Sequence, residues 1–291
     1  MFTPYMDNEE LRAETWKDFL EIKDKAASAF YSFKKRYSQY VLHSVTETKT
    51  YKTRQNNTWT LVYFNILSVD NQLANFIPVA YATVRRESGT DYIVLRSFDM
   101  FVIELYTAHF IKRYKERYLI PHGIKPAPGM PTLIYFLMYN SDLTLANFYK
   151  QELGAENEPA DRFFWIANHG ILANQCEGRM LVFITFLEEE KMSRVKKRIL
   201  DEERFWAMLE KLNRTQSQEE TDFLCQKIYN TPDARILIEG YFRRNVDPQN
   251  MDYALEEWEK YWATIEENIR EREDETGIGH KPKIKLPNLI G

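Results

Sequence analysis

Apolar and polar residues alternate along the chain with two different periods, and the places where the period changes divide it into elements. Over residues 8 to 40, Phe19, Ile22, Ala26, Phe30, Phe33, Tyr37 and Tyr40 recur at spacings of three and four. That spacing places them on one stripe of an amphipathic helix. Asn8 is a suitable cap, and Glu9 and Glu10 stand in the first turn, where the helix dipole favours acids. After Tyr40 the pattern shifts to runs rich in β-branched and aromatic residues. Strands are predicted at Val41 to Tyr51, Thr58 to Leu67, Val79 to Arg85, Tyr92 to Phe98 and Phe101 to Tyr106. Glu87 to Asp91, with Gly89, reads as a hairpin loop.

The strand at Phe101 runs into a basic helix that Pro121 stops. Pro131 can open another helix carrying Leu133, Ile134, Leu137 and Met138, and Asp142 can cap a short one through Phe148. Residues 153 to 162 read as a loop. Phe163 to Ala167 and Arg179 to Leu187 read as strands, with residues 168 to 178 as an extended hairpin connection using Gly170 and Gly178. Helices follow: one over about 189 to 213, one after a capping box of Ser217 and Glu220, and a segment at Arg235 to Arg243 that suits helix or strand. Asp247-Pro248 opens the last helix. There Met251, Leu255, Trp258, Trp262, Ile265 and Ile269 follow at alternating steps of four and three, a regular apolar seam.

These elements predict an α+β fold. Its short connections suggest an antiparallel sheet of about five to seven strands, with a long N-terminal helix and a helical C-terminal part. The predicted organisation is an α+β domain over 1–190, a helical part over 191–275 packed on it, and a loose tail over 276–291. The seam is expected to pack against the equally regular stripe of the first helix, or to pair with a protein partner through Met251–Ile269.

Composition narrows the function classes. The 291 residues include 18 Phe, 18 Tyr and 6 Trp against 10 Gly and 11 Pro, which suits a large packed core and not a turn-rich or disordered chain. A net charge of −4 predicts no general attraction to nucleic acid or to anionic membrane. The charge is uneven, however. Residues 85 to 125 carry eight basic against five acidic side chains, and residues 247 to 275 carry eleven acids against three bases. A basic centre fits an anionic ligand. No apolar run reaches the roughly 18 residues of a membrane span, and the N-terminus lacks the features of a secretory signal. With only Cys176 and Cys225, no disulfide framework is expected, and a cytoplasmic setting is the default.

The chemically most suggestive row is His109, Arg113 and Arg117, at steps of four on the basic helix. A neutral imidazole above two guanidinium groups has the parts for a general base beside a bound phosphate. Arg96 or Arg85 would extend the anion clamp, with Tyr106 or Thr107 beside the histidine. His169, in Asn168-His169-Gly170, would supply a second histidine for acid/base work. The competing reading is a solvated helix face and an ordinary turn. The five histidines form no i, i+4 pair and no HExxH, and there is no GxSxG, Walker A or GxGxxG. No metal and no cofactor are therefore predicted.

Residues 107–117, Thr-Ala-His-Phe-Ile-Lys-Arg-Tyr-Lys-Glu-Arg, resemble the His-x-x-x-Arg-x-x-x-Arg helix in parts of the barnase/EndoU/colicin/RelE-like superfamily of metal-independent ribonucleases. The resemblance implies His109 as acid/base and Arg113 as phosphate binder. Two functions follow as expectations. One is a non-enzymatic interaction or binding protein, with RNA or another anionic ligand at the basic face near His109. The alternative is a metal-independent nuclease or RNA-processing protein using His109, Arg113 and Arg117.

Overall fold

The computed structural model describes residues 1–37, 46–67, 74–96, 98, 101–140, 144–146, 162–215 and 218–274. Predicted features at 38–45, Asp142, Phe148, 153–161, Ser217 and the 276–291 tail lie outside the described residues. The chain divides into an α+β unit, residues 1–145 and 157–191, and a helical unit, residues 146–156 and 192–291.

The α+β unit is built on one mixed sheet. Its strands are β1 (Thr46–Lys52), β2 (Thr58–Leu67), β3 (Ala74–Arg86), β4 (Gly89–Leu95), β5 (Ile103–Tyr106), β6 (Thr144–Ala146), β7 (Arg162–Ala167), β8 (Gly170–Glu177) and β9 (Met180–Leu187). The spatial order is β1-β2-β3-β4-β5-β9-β8-β7-β6. Strands β1 to β5 form an antiparallel meander, and so do β7 to β9. The two meanders are joined by one parallel pair, β5 with β9. This corrects the expected all-antiparallel sheet of five to seven strands. Parallel neighbours need a long crossover, and here the chain leaves β5 through α2 (Ala108–Tyr114) and α3 (Thr132–Tyr139) before it returns. Two local readings also change. The 168–178 connection is a strand of its own, β8, with tight turns at each end. Residues 144–146 form strand β6 where a helix was expected.

Both faces of the central strands are buried, and strand alternation sorts the side chains between them. Trp59, Leu61 and Tyr63 of β2 join Ile93, Leu95, Ile103, Leu105, Met180 and Val182 against helix α1 (Asn8–Tyr37). Its stripe residues Phe19, Ile22, Ala26 and Phe33 are buried there. The intervening residues Val62, Phe64, Val94, Tyr106, Phe183 and Phe186 face the other way, onto Phe110 and Tyr114 of α2 and Leu133, Phe136 and Leu137 of α3.

The helical unit contains α4 (Arg194–Arg214), α5 (Gln218–Tyr229), α6 (Ala234–Asn245) and α7 (Met251–Asp274). Arg235 to Arg243 is thus helical. Asp247 caps a short 3₁₀ turn that leads into α7, accepting from the Gln249 amide at 2.9 Å. The α7 seam is buried in this unit's own core: Trp258, Ile265 and Ile269 pack with Phe205, Leu209, Leu224, Ile238 and Phe242. The α1 stripe is used against the sheet, so seam and stripe belong to different cores. The fully buried line of α7 also includes Ala254 and Tyr261.

Among the described residues, no helix is long and apolar enough to cross a membrane.

Candidate functional site

The basic helix begins where β5 ends. Thr107 caps α2: its hydroxyl oxygen accepts from the Phe110 amide at 3.1 Å, and its O–H donates to the Phe183 carbonyl at 3.1 Å. The Ala108 amide donates to Asp91 Oδ1 at 2.8 Å. Phe110 and Tyr114 are buried against the sheet, which turns His109 and Arg113 outward.

After Tyr114 the helix widens into a π turn over Lys115–Leu119. The Ile120 and Ile124 amides reach back five residues, to the Lys115 and Leu119 carbonyls, at 3.0 and 2.9 Å. His109 and Arg113 remain neighbours, with Arg113 Nε donating to His109 Nε2 at 3.4 Å. Arg117 instead donates to the Phe186 carbonyl of β9 at 2.6 Å.

The surrounding charges are largely matched. Arg113 Nη1 lies 3.1 Å from Glu116 Oε2, and Lys112 Nζ lies 3.9 Å from the same carboxylate. Arg96 holds both oxygens of the buried Glu104 through Nε, at 2.8 and 2.9 Å. The buried Tyr106 hydroxyl donates to Glu104 as well, at 2.9 Å. Arg96 and Tyr106 therefore serve the interior, and Thr107 serves the cap. Two cations differ. Lys115 and Lys125 are exposed, and among the described residues neither has an ion pair.

His169 sits in the turn between β7 and β8, in a setting that spacing alone did not disclose. Asn140, fully buried at the end of α3, anchors that turn. Its Oδ1 accepts from the His169 amide at 2.9 Å, and its Nδ2 donates to the Phe136 carbonyl at 2.9 Å. Because a backbone N–H can only donate, the amide orientation is fixed. The same Nδ2 therefore donates to His169 Nδ1 at 3.1 Å, and the Tyr114 hydroxyl donates to that nitrogen at 2.8 Å. The network assigns Nδ1 as the acceptor and places the ring proton on Nε2. Burial, reinforced by the nearby His122, pulls the His169 pKa down to about 4. Burial raises Tyr114 well above the usual phenol range.

The ring lies in an aromatic stack. Tyr118 is 3.9 Å away and inclined by 12°, and His122 stacks on Tyr118 at 4.4 Å. Tyr114, Tyr118 and His122 follow at steps of four. This row was present in the sequence beside the His109 row, and it was the signal that leads to His169. Gly170 completes the turn at φ 151°. A Cβ there would meet Phe186 Cζ at 2.5 Å and the Leu187 carbonyl oxygen at 2.8 Å, so the close approach requires glycine.

His109 and His169 are not joined: His109 contacts Arg113, and His169 contacts Tyr114 and Asn140. Beyond the π turn, a cavity of about 530 Å³ opens between that turn and the proline-containing loop that follows; Leu119, Ile120, Ile124 and Met130 line it together with Lys115 and Lys125. Among the described residues, no group of three or more His, Cys, Asp or Glu side chains is placed to hold a metal ion.

No family model, no curated protein and no solved structure matches this chain.

Proposed function

We propose that the α+β unit is a non-enzymatic binding module for an anionic partner, presented by the segment from α2 to the loop after it. The observation that carries this reading is the distribution of partners among the cations. Arg113 is engaged by Glu116 and His109, and Arg117 by a β9 carbonyl. A phosphoryl-transfer clamp needs guanidinium groups aimed at one open point beside the base; here Arg113 is shared between the base itself and Glu116, and Arg117 is directed to β9. Within this segment, the cations without an ion pair among the described residues are Lys115 and Lys125, one turn and one loop further on. His169 supports the same reading. Its Nδ1 lone pair is occupied by two donors, so it is a poor acid/base partner for a reacting group.

The binding reading and the nuclease alternative predict opposite outcomes, and the binding reading predicts no cleavage. Purified protein incubated with RNA in EDTA should leave the RNA intact, both as wild type and as His109→Ala. Cleavage by the wild type that disappears in His109→Ala, with unchanged circular dichroism, would establish the nuclease and displace the binding reading.

A further inference from the structure

The cavity beside the π turn combines three properties. Its floor is apolar: Leu119 is buried, while Ile124 and Met130 are partly buried and pack against the core. Its rim is poor in donors, because Pro126 and Pro128 have no N–H, and the Met130 amide is bonded to the Ala127 carbonyl at 2.9 Å. Its charge is of one sign, since Lys115 and Lys125 are the charged residues that line it.

A volume of about 530 Å³ lies within the range of small-molecule sites, where apolar walls supply affinity and a few polar groups fix orientation. Here the polar groups that carry charge are two ammonium groups. A neutral apolar ligand would leave both ammonium groups without a counter-ion. A small inorganic anion would leave the floor in contact with water. A ligand with an apolar body and one anionic head satisfies both parts.

We infer that this cavity is a binding site for a small amphiphilic organic anion, an aryl or acyl carboxylate or its sulfonate analogue, held by Lys115 and Lys125. The inference rests on the binding-module reading and specifies its ligand. The backbone suits the role. Gly123 and Gly129 stand at φ 65° and 82°, with open space where a Cβ would lie. These glycines let the loop turn sharply around the opening without side chains blocking it.

The test uses two fluorescent probes of nearly the same shape. One is 8-anilinonaphthalene-1-sulfonate, and the other is N-phenyl-1-naphthylamine, which lacks the charge. Each is titrated into the full chain, with amide chemical-shift mapping to locate the site. The sulfonate should saturate at one equivalent, shift resonances within 115–132, and bind about tenfold or more tighter than the neutral probe. Lys115→Glu with Lys125→Glu should weaken the sulfonate about tenfold or more and leave the neutral probe unchanged. Lys112→Glu, at a lysine outside the cavity, should change neither. Both substituted lysines are exposed, so unchanged circular dichroism and an unchanged melt are expected controls.

Three results would overturn the inference. One is equal affinity for the two probes. Another is sulfonate binding that is indifferent to the double charge reversal or that maps elsewhere. The third is sedimentation with anionic lipid vesicles that the same reversal abolishes, which would reassign the surface to a membrane. None of these results affects the binding-module reading itself, which fails separately if the wild type cleaves RNA in EDTA through His109.

Discussion

At neutral pH the His169 ring is uncharged because two donors and its partial burial both oppose a proton at Nδ1. A proton there would set a third N–H against the Asn140 amide and require Tyr114 to reverse its hydrogen bond. The consequence for stability has a definite sign. The unfolded ring takes a proton near its ordinary value of 6.5, whereas the folded ring resists protonation until about 4. The folded state is therefore fully favoured above pH 6.5, loses stability as the pH falls from about 6.5 to 4, and loses no more from this group below that. The ceiling is about 3 kcal/mol, reduced to about 1–2 kcal/mol because solvent screens a half-exposed ring. Urea denaturation at pH 7 and pH 5 should show about half of this loss for the wild type, because the rest develops between about pH 5 and 4. His169→Gln should lower stability at pH 7 and flatten the difference between the two pH values. An undiminished pH dependence in that variant would place its origin elsewhere.

The element that decides the character of the basic segment is the π turn at Lys115–Leu119. Four-residue spacing in an α-helix would align His109, Arg113 and Arg117, and the resemblance to ribonuclease helices rests on that alignment. Arg117 lies within this turn and donates to the Phe186 carbonyl, so its guanidinium connects the helix to β9. Arg117→Ala leaves that carbonyl without its charged donor and should cost about 1–3 kcal/mol of stability by chemical denaturation. Arg117→Lys should recover part of this, because an ammonium group restores a single donor. If Arg117→Ala folds as stably as wild type, the arginine is free for a ligand, and the alignment in the sequence is the better guide.

The same turn explains what was legible in the sequence at this scale. The period-3.6 stripe of α1 and the period-2 strands are set by burial, which leaves a direct mark on residue type, and Phe19, Ile22, Ala26 and Trp59 lie in the core as those periods require. A change of helical pitch leaves no such mark. Nor does a parallel pair made by a distant return of the chain, as with β5 and β9. Asn140 read as an unremarked polar residue, because its partners, the Phe136 carbonyl and the His169 amide, are set by tertiary structure. In α7 the apolar seam indicated Trp258, Ile265 and Ile269, but it passed over Tyr261, whose hydroxyl disguised a fully buried ring.

At the scale of the whole molecule there are two separate sets of buried side chains, one around the sheet and one among α4 to α7. The second contains a buried charge cluster that makes its independence testable. Arg244, only 7 % exposed, pairs with Glu202, and its Nη2 lies 3.0 Å from Glu203 Oε1. Arg198 Nε approaches Glu202 from the side at 3.3 Å. Gly240 of α6 makes room for this cluster, since a Cβ there would collide with the Glu202 carboxylate. Glycine inside a helix ordinarily costs about 1 kcal/mol relative to alanine, so Gly240→Ala would be expected to stabilise α6. The sign reverses here because Glu202 is 1 % exposed and tied to two arginines. Displacing a buried carboxylate from its partner costs about 3–5 kcal/mol, which leaves a net loss of about 2–4 kcal/mol. Hydrogen exchange followed by mass spectrometry locates the loss. In Gly240→Ala, peptides from 194–270 should exchange faster, and peptides from 58–67 and 170–187 should keep their wild-type protection. If protection falls equally in both sets, the two cores unfold as one cooperative block, and a ligand bound at Lys115 and Lys125 would then stabilise the helical unit as strongly as the sheet.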